Sequence, residues 1–479
     1  MVVETDVCII GGGPSGSAFA IRMAELGYRV VVVERHQFPR PHIGESLTPG
    51  TWALLESLNI RQQVEKAGFV PGIESLVRWE DSTTRTVTSG SREPGLNVDR
   101  GRFDQVILEG AKTAGAAILQ PASAGRPHRT ESGWEIPVRQ TGKELLVQAP
   151  FVADASGRAL ALGGRREWIS APTIALCGTW EGQGVRGTET RVEAAPQGWF
   201  WGARLPDGSF KAMAFVDRSL MRYRKVSRAS VESFFRQLLG SSELLSDLAG
   251  ARLTAPVLAC DATSYADHEP VGWDFIKLGE AAFAIDPLSS AGVQKALQTA
   301  LAGSVVAHTL ISGKGDRPAA LEFYRENQRQ SVKRHADWAA DYYHQNRVHR
   351  DEPFWVRRGR PSATHRSPAP SQGLQELLPC RIRLADDAAV IESPCIVGRQ
   401  VQRRPALRHP SLPRPVAYLG GVELIRLLRC FEPRPTLKEV LLEWGERMPM
   451  DSALAVADWL NRRSMLVTAS ESPCAPRNS

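Results

Sequence analysis

The sequence of 479 residues predicts an α/β fold with an inserted, mostly antiparallel β-sheet domain and a small, mainly helical C-terminal domain. Three observations predict it. Thr5–Ile10 is a short apolar run, and a glycine loop, an amphipathic stretch and a second apolar run follow it as strand, helix and strand. Alternating patterns around Trp79 and from about Trp168 to Asp261 indicate the antiparallel sheet. The Pro-, Ser- and Gly-rich stretch Arg358–Gly373 indicates a linker or long surface loop before the C-terminal region.

Composition narrows the class of protein. A hydrophobic content of 42% and a charged content of 23% are typical of a soluble globular protein, and the length predicts two or three domains. The N-terminus lacks the basic start of a signal peptide, and no apolar run is long enough to cross a bilayer. The seven cysteines are scattered and never spaced C-x-x-C. We therefore expect no disulfide framework and no metal site, and a cytoplasmic location.

The net charge of +7 has its excess in the tail that follows Val356. A basic tail can bind nucleic acid. Here the arginines are dispersed and few aromatic residues lie between them, so we expect no nucleic-acid partner. An acidic protein or peptide is the favoured partner for this region.

The glycine loop GGGPSG at residues 11–16 lies between the first strand and the helix pattern Pro14–Leu26. A G-x-G-x-x-G sequence at this point is typical of a Rossmann-type dinucleotide site, because the glycines let a pyrophosphate approach the helix N-terminus. The second strand, Arg29–Val33, ends at an acid that can accept hydrogen bonds from ribose hydroxyls. The predicted nucleotide contacts are Gly11, Gly13, Pro14, Ser15, Gly16, Glu34 and Arg35.

Three later segments resemble signatures of FAD-dependent aromatic hydroxylases. They are VDRGRFDQVIL at 98–108, VADASGR at 152–158 and LGEAAFAIDPLSSAGV at 278–293. In the last segment Glu280 replaces the aspartate usual in that family, so a ribityl contact would need one more methylene. Within this class, PHIGESL at 41–47 is similar to the flavin-dependent halogenase branch. The resemblance covers roughly residues 1–356 and implies FAD contacts by Gly44, Ser46, Arg100, Glu280, Asp286, Pro287 and Gly292.

The resemblance implies that reduced FAD reacts with oxygen to give a C4a-hydroperoxide, which delivers an electrophilic oxygen to an electron-rich ring. A halogenase also needs a lysine that directs hypohalous acid. In the nearest relatives it follows an A-G-F-x segment, where this chain has Pro71 and Gly72, while Lys66 comes before the segment. The halogenase W-x-W-x-I-P motif is altered too, since Pro206 arrives two residues late. We therefore expect hydroxylation rather than halogenation.

Four residues are candidates for the chemistry. Trp199 and Trp201 share one face of a predicted strand, where they either fill a core or wall the substrate cavity. His42 is a candidate acid or base, or a loop histidine bonded to backbone. Glu45 lies in a tight turn that faces the flavin in this family, and as a general base it could take the ring proton after oxygen transfer.

The C-terminal region shows a helical pattern at residues 422–428 and a helix start at Thr436, where Glu439 completes a capping box. A third helix, Ala453–Asn461, precedes a short apolar strand. This order resembles the winged-helix domains that bring precursor peptides to modifying enzymes. A helical cap on the catalytic core is the alternative.

The domain ranges expected from the sequence are 1–70, 100–165 and 275–356 for FAD binding, 71–99 and 166–274 for substrate, and 374–479 for the C-terminal domain. The resemblance extends to flavoproteins of tryptophylquinone biogenesis, as in the quinohemoprotein amine dehydrogenase system, and implies hydroxylation of a peptidyl tryptophan. The alternatives are a halogenase or hydroxylase of a small aromatic precursor, and a flavin-binding chaperone without catalysis. The expected partners are a peptide or small protein substrate, its other modifying enzyme, and NAD(P)H or a flavin reductase as electron source.

Overall fold

The computed structural model describes residues 1–90, 93–182, 187–360, 373–432 and 435–468. It divides into two compact units: Met1–Gly313 with Tyr324–Ser362, and Lys314–Phe323 with Ala363–Ser479. The predicted linker lies for the most part outside the described residues. The predicted α/β fold class is confirmed.

The first unit is built on a five-stranded parallel sheet, and its strands explain the opening pattern of the sequence. Every residue of the strands Val7–Ile10 and Val30–Val33 is buried, as expected for a parallel sheet covered on both faces. A second sheet packs beside it over a core that includes Cys8, Val31 and Ile136. The parallel order is Phe275–Lys277, Phe151–Asp154, Val7–Ile10, Val30–Val33 and Ala117–Leu119. The neighbouring sheet comprises Val2–Glu4, Lys143–Ala149, Gly133–Gln140, Ser123–Ala124 and His128–Thr130.

The predicted antiparallel sheet is the largest of the fold and has eight strands. Successive side chains of its strand Gly198–Arg204 alternate between two cores. Phe200 joins the core under the helix Val231–Leu239, while Trp199 and Trp201 join an aromatic core on the opposite face. The strands are Arg252–Leu253, Thr173–Glu181, Phe210–Asp217, Gly198–Arg204, Thr190–Ala195, Glu74–Arg78, Arg85–Thr88 and Leu258–Asp261.

Two three-stranded sheets and nine helices complete the first unit as described. The sheets are Arg166–Trp168, Tyr265–Asp267 and Phe283–Ala284, and Ser46–Leu47, Gly95–Asn97 and Val70–Gly72. The helices are Pro14–Glu25, Thr51–Ser57, Arg61–Lys66, Arg100–Thr113, Arg218–Tyr223, Val231–Leu239, Gly292–Ser312, Arg317–His344 (which begins in the second unit) and Pro353–Val356. Single 3₁₀ turns are Gly157–Ala159, Ser246–Gly250, Gly279–Ala281 and Pro287–Ser289.

The second unit has its own core, centred on Trp444, Leu424 and Leu460. Its helices are Leu374–Leu377, Leu424–Leu428, Leu437–Gly445 and Met450–Asn461, with a 3₁₀ turn at Arg429–Phe431. Its strand pairs are Ile382–Leu384 with Leu466–Thr468, Ala389–Val397 with Gln400–Arg408, and Tyr418–Leu419 with Val422–Glu423. The predicted capping box is confirmed, because the Thr436 hydroxyl accepts from the Glu439 amide and the Glu439 carboxylate accepts from the Thr436 amide.

Three details differ from the sequence-based expectation. The hairpin Ala389–Arg408 was not predicted. The helical pattern at 422–428 forms a helix only from Leu424, since Val422–Glu423 pairs as a strand. The segment Lys314–Phe323, expected in the FAD-binding domain, belongs to the second unit. There the Asp316 amide donates to the Val401 carbonyl oxygen at 2.9 Å.

Candidate functional site

The glycine loop closes tightly around the end of the first parallel strand. A Cβ on Gly16 would lie 1.9 Å from the carbonyl oxygen of Gly11, so this close approach of helix and loop requires glycine. Gly13 is different, because the nearest atom to its added Cβ is a guanidinium nitrogen of Arg40 at 3.8 Å. Pro14 occupies the first turn of the helix, and Ser15 lines the same cavity as Gly11 and Gly13. The backbone of the loop is therefore open towards a ligand.

Glu34 ends the second strand as the sequence predicts. Its buried carboxylate accepts hydrogen bonds from the amides of Gly12, at 2.7 Å, and His36, at 2.9 Å. Each oxygen keeps a lone pair that a ribose hydroxyl can use. Arg35, beside it, also lines the cavity. These contacts fix the position of the Glu34 carboxylate, which remains the predicted acceptor for a ribose hydroxyl.

Arg100 organises the loop PHIGES instead of standing free. Its guanidinium donates to the carbonyl oxygens of Ile43, at 2.8 Å, and Gly44, at 3.3 Å, and is held from behind by Asp104. Gly44 has φ of +97°, and a Cβ there would lie 3.0 Å from that guanidinium. Arg40 also contacts Asp104, at 3.2 Å. The guanidinium groups of Arg40 and Arg100 therefore stabilise the loop, and both side chains also line the cavity.

Glu45 lies in this loop with a side chain that is 1% exposed. One oxygen accepts from the amide of Gly44 at 2.8 Å, and the other forms an ion pair with Lys211. Lys211 comes from the strand Phe210–Asp217 of the large sheet. Burial alone would lower the pKa of Lys211, but the Glu45 carboxylate outweighs it, so the pKa is raised. The predicted general base is thus a paired carboxylate at the cavity wall.

His42 lines the cavity, and its Nδ1 donates to the carbonyl oxygen of Ile43 at 2.7 Å. Nearby protein atoms and the charges of Arg100 and Arg40 lower the pKa of His42 below its usual value, although the residue is exposed. The ring is therefore neutral at physiological pH. The two alternatives for this residue are compatible here, because a backbone-bonded histidine still presents Nε2 as an acceptor.

The segment around Glu280 supplies another charged group. Glu280 faces Arg158, with 3.5 Å between Oε2 and Nε, and both line the cavity. The crowding of protein atoms around the half-buried Glu280 would raise its pKa, but the positive charges of Arg158 and Lys295 lower it. Lys295 donates to the carbonyl oxygen of Phe283 at 2.6 Å, and burial lowers its pKa to about 8. These groups form the middle of the cavity wall.

Asp286, Pro287 and Gly292 stand at the start of the helix Gly292–Ser312. The Asp286 carboxylate accepts from the Leu288 amide at 3.0 Å and from the Tyr343 hydroxyl at 3.1 Å. Burial raises the pKa of Asp286 despite these donors. The Tyr343 hydroxyl also accepts from the Trp199 indole nitrogen at 3.1 Å. A buried hydrogen-bond series therefore runs from the large sheet to Asp286.

Trp199 and Trp201 are 2% and 6% exposed, and both line the cavity. Trp199 stacks on Phe215 with ring centroids 3.9 Å apart. The two side chains belong to the aromatic core and also line the cavity, and their contact with a substrate stays a prediction. Met213 and Ala175 continue the same apolar wall.

Most of these groups line one cavity of about 1120 Å³, and Lys211, Tyr343 and Asp104 contact its lining residues. It extends from the glycine loop, past PHIGES and Glu280, to the tryptophan wall. The open backbone at Gly13, the acid at Glu34 and the helix start at Gly292 fit the two ends of FAD. Every predicted cofactor residue except Gly16 lines this cavity, as do the predicted catalytic residues Glu45 and His42. Gly16 instead packs against the carbonyl oxygen of Gly11.

The sequence analysis did not identify Lys211, Tyr343 or Lys295. Lys211 lies 166 residues from its partner Glu45, so no local spacing could indicate the pair. The position at which a halogenase lysine is expected holds Pro71 and Gly72, which lie in the strand Val70–Gly72. Lys66, which precedes this position, is exposed. Among the described residues that line the cavity, Lys295 is the only lysine.

Two absences apply to the described part of the chain. No cluster of three or more histidine, cysteine, aspartate or glutamate side chains that could hold a metal ion was found there. No helix within those ranges has the length and apolar character needed to span a bilayer.

The chain is similar to proteins of known family and structure. The FAD binding domain family matches residues 4–161. A tryptophan 2-halogenase from Chondromyces crocatus is 30% identical over 373 residues, which cover 74% of this chain and 70% of that protein.

Two solved structures are similar over nearly the whole chain. The flavin-dependent halogenase CmlS superposes with a TM-score of 0.79 at 19% identity, covering 98% of this chain and 97% of that one. The peptidyl tryptophan dihydroxylase QhpG, essential for tryptophylquinone cofactor biogenesis, has a TM-score of 0.75 at 25% identity, covering 97% and 100%. The predicted cofactor, FAD, is confirmed.

Proposed function

Because this chain belongs to the flavin-dependent halogenase-like family of FAD monooxygenases, we propose that it hydroxylates an electron-rich aromatic ring. The substrate of the proposal is a tryptophan side chain within a peptide or small protein. The neighbour QhpG, which matches over its full length, is a peptidyl tryptophan dihydroxylase. Hydroxylation of such a residue is the first step towards a tryptophylquinone.

One observation carries the choice of hydroxylation over halogenation. The described cavity wall offers Trp199 and Trp201 but no lysine with a free ammonium group beside them. Lys295 is bonded to the Phe283 carbonyl oxygen, and Lys211 is held by Glu45. An apolar aromatic wall orients an indole ring and excludes water, which favours direct oxygen transfer.

Bound FAD, once reduced, supplies the activation of molecular oxygen. The residues of the chain position the substrate ring and accept its proton. The aromatic wall holds the substrate ring, and Arg100 with Asp104 holds the PHIGES loop. After oxygen transfer the ring carbon must lose a proton, and Glu45 remains the predicted acceptor. Its ion pair with Lys211 fixes the position of the carboxylate at the cavity wall.

The second unit is the proposed peptide-recognition element. Its order of helices with a capped start at Thr436 and a short strand supports the resemblance to winged-helix domains. Electrons come from NAD(P)H bound transiently or from a separate reductase. No second G-x-G-x-x-G loop is present in the sequence to bind a nicotinamide cofactor permanently.

Halogenation of a small aromatic compound is the second candidate, because the Chondromyces relative at 30% identity is a tryptophan 2-halogenase. One experiment separates the two. The FAD-loaded protein is incubated with a chemical reductant, oxygen, chloride and bromide, and with either free tryptophan or a tryptophan-containing peptide. We expect oxygen addition to the peptide by mass spectrometry. A halogen isotope pattern on either substrate overturns the proposal, and oxygen addition to free tryptophan alone overturns its peptide part.

A further inference from the structure

Four aromatic rings lead from the cavity to the surface of the first unit. Trp199 lines the cavity, and its ring centroid is 6.1 Å from that of Trp79. Trp79 is 5.0 Å from Tyr342, and Tyr342 is 5.3 Å from Trp338 with the two rings nearly parallel, at 20°. We call Trp199, Trp79, Tyr342 and Trp338 the aromatic chain.

Burial changes steadily along the aromatic chain. Trp199 and Trp79 are 2% and 3% exposed, Tyr342 is half-buried, and Trp338 is 38% exposed. Core packing explains the first two rings, because they belong to a dense cluster with Tyr343 and Trp355. Tyr342 packs against the edge of the same cluster. Core packing does not explain why an exposed tryptophan, Trp338, stacks on the outer side of Tyr342.

The chemistry of these side chains suggests a second role. Indole and phenol lose one electron more readily than aliphatic or phenylalanine side chains do. Rings in van der Waals contact pass such an electron vacancy from one to the next. We propose that the aromatic chain carries oxidising equivalents from the flavin cavity to the protein surface, and so protects the site when oxygen is activated without a substrate.

A one-electron oxidant derived from oxygen in the cavity, superoxide, takes one electron from Trp199 and two protons from water and becomes hydrogen peroxide. Trp79 then reduces Trp199, and Tyr342 reduces Trp79 while its hydroxyl proton passes to water. Trp338 reduces the Tyr342 radical, which takes a proton back from water. Trp338 then gives its indole proton to water and becomes a neutral radical. A soluble one-electron donor, such as a thiol or ascorbate, supplies the electron and water the proton that restore it.

Hydrogen bonds along the aromatic chain suit this role. The indole nitrogen of Trp79 donates to the Tyr342 carbonyl oxygen at 2.8 Å, which holds the two rings in register. The indole nitrogen of Trp199 donates to Tyr343, which itself donates to Asp286. An oxidised Trp199 can thus share its acidic proton with this series until Trp79 refills it. The solvent-exposed end is the point where the proton is lost for good.

Photoexcited flavin provides a controlled one-electron oxidant for the test. The FAD-loaded protein is excited with a blue laser pulse, and the radical is followed by transient absorption and by electron paramagnetic resonance. We expect a long-lived tryptophan radical in the native protein. Tyr342→Phe keeps the ring but cannot be oxidised by an indole radical, and should shorten the radical lifetime at least tenfold. Tyr223→Phe, at an 82% exposed tyrosine outside the aromatic chain, should leave it unchanged.

A second variant and a second readout keep the test decisive if Tyr342→Phe folds poorly. Trp338→Phe changes only the exposed end and should also shorten the lifetime. After oxygen turnover without substrate, peptide mass spectrometry should find oxygen additions at Trp338 in the native protein and at Trp79 or Trp199 in Tyr342→Phe. Equal lifetimes and equal sites of oxidation in native protein and variants overturn the proposal. It needs only bound FAD, so it stands or falls separately from the hydroxylase function.

Discussion

At the scale of single residues, we expect disruption of the ion pair between Glu45 and Lys211 to change the free energy of unfolding most. Both side chains are withdrawn from water, at 1% and 15% exposure. Removing one partner of such a pair leaves an uncompensated buried charge, whereas removing both charges together can be nearly neutral.

We therefore expect Lys211→Met to lower the free energy of unfolding by about 3 kcal/mol. The double variant Glu45→Gln with Lys211→Met should recover most of that loss. Urea denaturation of the three proteins without FAD measures both effects. A double variant as unstable as the single one would show that packing of the lysine stem, not its charge, is what matters.

Lys295 predicts a dependence of stability on pH. Burial lowers its pKa to about 8 in the folded protein, below the value of about 10.4 for a lysine in the unfolded chain. Between these values the unfolded chain holds more protons, so this residue makes the free energy of unfolding rise with pH.

Lys295→Met removes that titration. The stability of the native protein relative to this variant should therefore increase from about pH 8 to about pH 10. Urea denaturation of the FAD-free proteins across this range measures the difference, with Lys66→Met at an exposed position as the baseline for losing a lysine. If the loss of stability in Lys295→Met depends on pH in the same way as that in Lys66→Met, the prediction is wrong.

Gly44 offers a test of the PHIGES loop. Its φ of +97° and the 3.0 Å approach of Arg100 to an added Cβ both disfavour alanine. We expect Gly44→Ala to cost about 1–3 kcal/mol of stability and to weaken FAD binding. Gly142→Ala is a matched control, since Gly142 has φ of +77° with no atom within 4 Å of its Cβ. Equal FAD affinity in the two variants would show that the loop tolerates the displacement of Arg100.

At the scale of elements, the helix Leu437–Gly445 depends on its start. The Thr436 hydroxyl accepts from the Glu439 amide, so Thr436→Ala leaves that amide without its cap. We expect a loss of about 1 kcal/mol, seen as a lower denaturation midpoint of the full chain by circular dichroism. Thr436→Ser should retain the native midpoint, and an unchanged midpoint in Thr436→Ala would show that the helix end is held by tertiary packing alone.

The elements also show what sequence can predict. The strand, glycine loop and helix at residues 7–25 were predictable, because the physical requirement lies within one short segment. The hairpin Ala389–Arg408 was missed because Pro394 and Pro405 argue against strands. The hairpin is a two-stranded pair, in which a proline without an amide can face away from the partner. Lys211 and Tyr343 were missed because only tertiary structure brings them to the site.

At the scale of the whole molecule, binding of FAD to the folded protein should increase its stability against unfolding. At a hundredfold excess over its dissociation constant, FAD should stabilise the native protein by about 2.7 kcal/mol. Glu34→Ala removes the carboxylate that orders the Gly12 and His36 amides, and should weaken FAD binding about tenfold, which corresponds to about 1.4 kcal/mol. Thermal unfolding with and without FAD measures both values, and Glu34→Gln, which keeps one acceptor oxygen, should lose less.

The bond between Lys211 and Glu45 joins a loop near the start of the chain to a strand more than 160 residues later. The cavity also needs Gly292 and Lys295, which are made later still. During synthesis on the ribosome, the N-terminal strands emerge long before their site can be closed. Cofactor capture in the cell is therefore a late event in translation, and a chain that stalls before residue 295 is released without a complete pocket for its flavin.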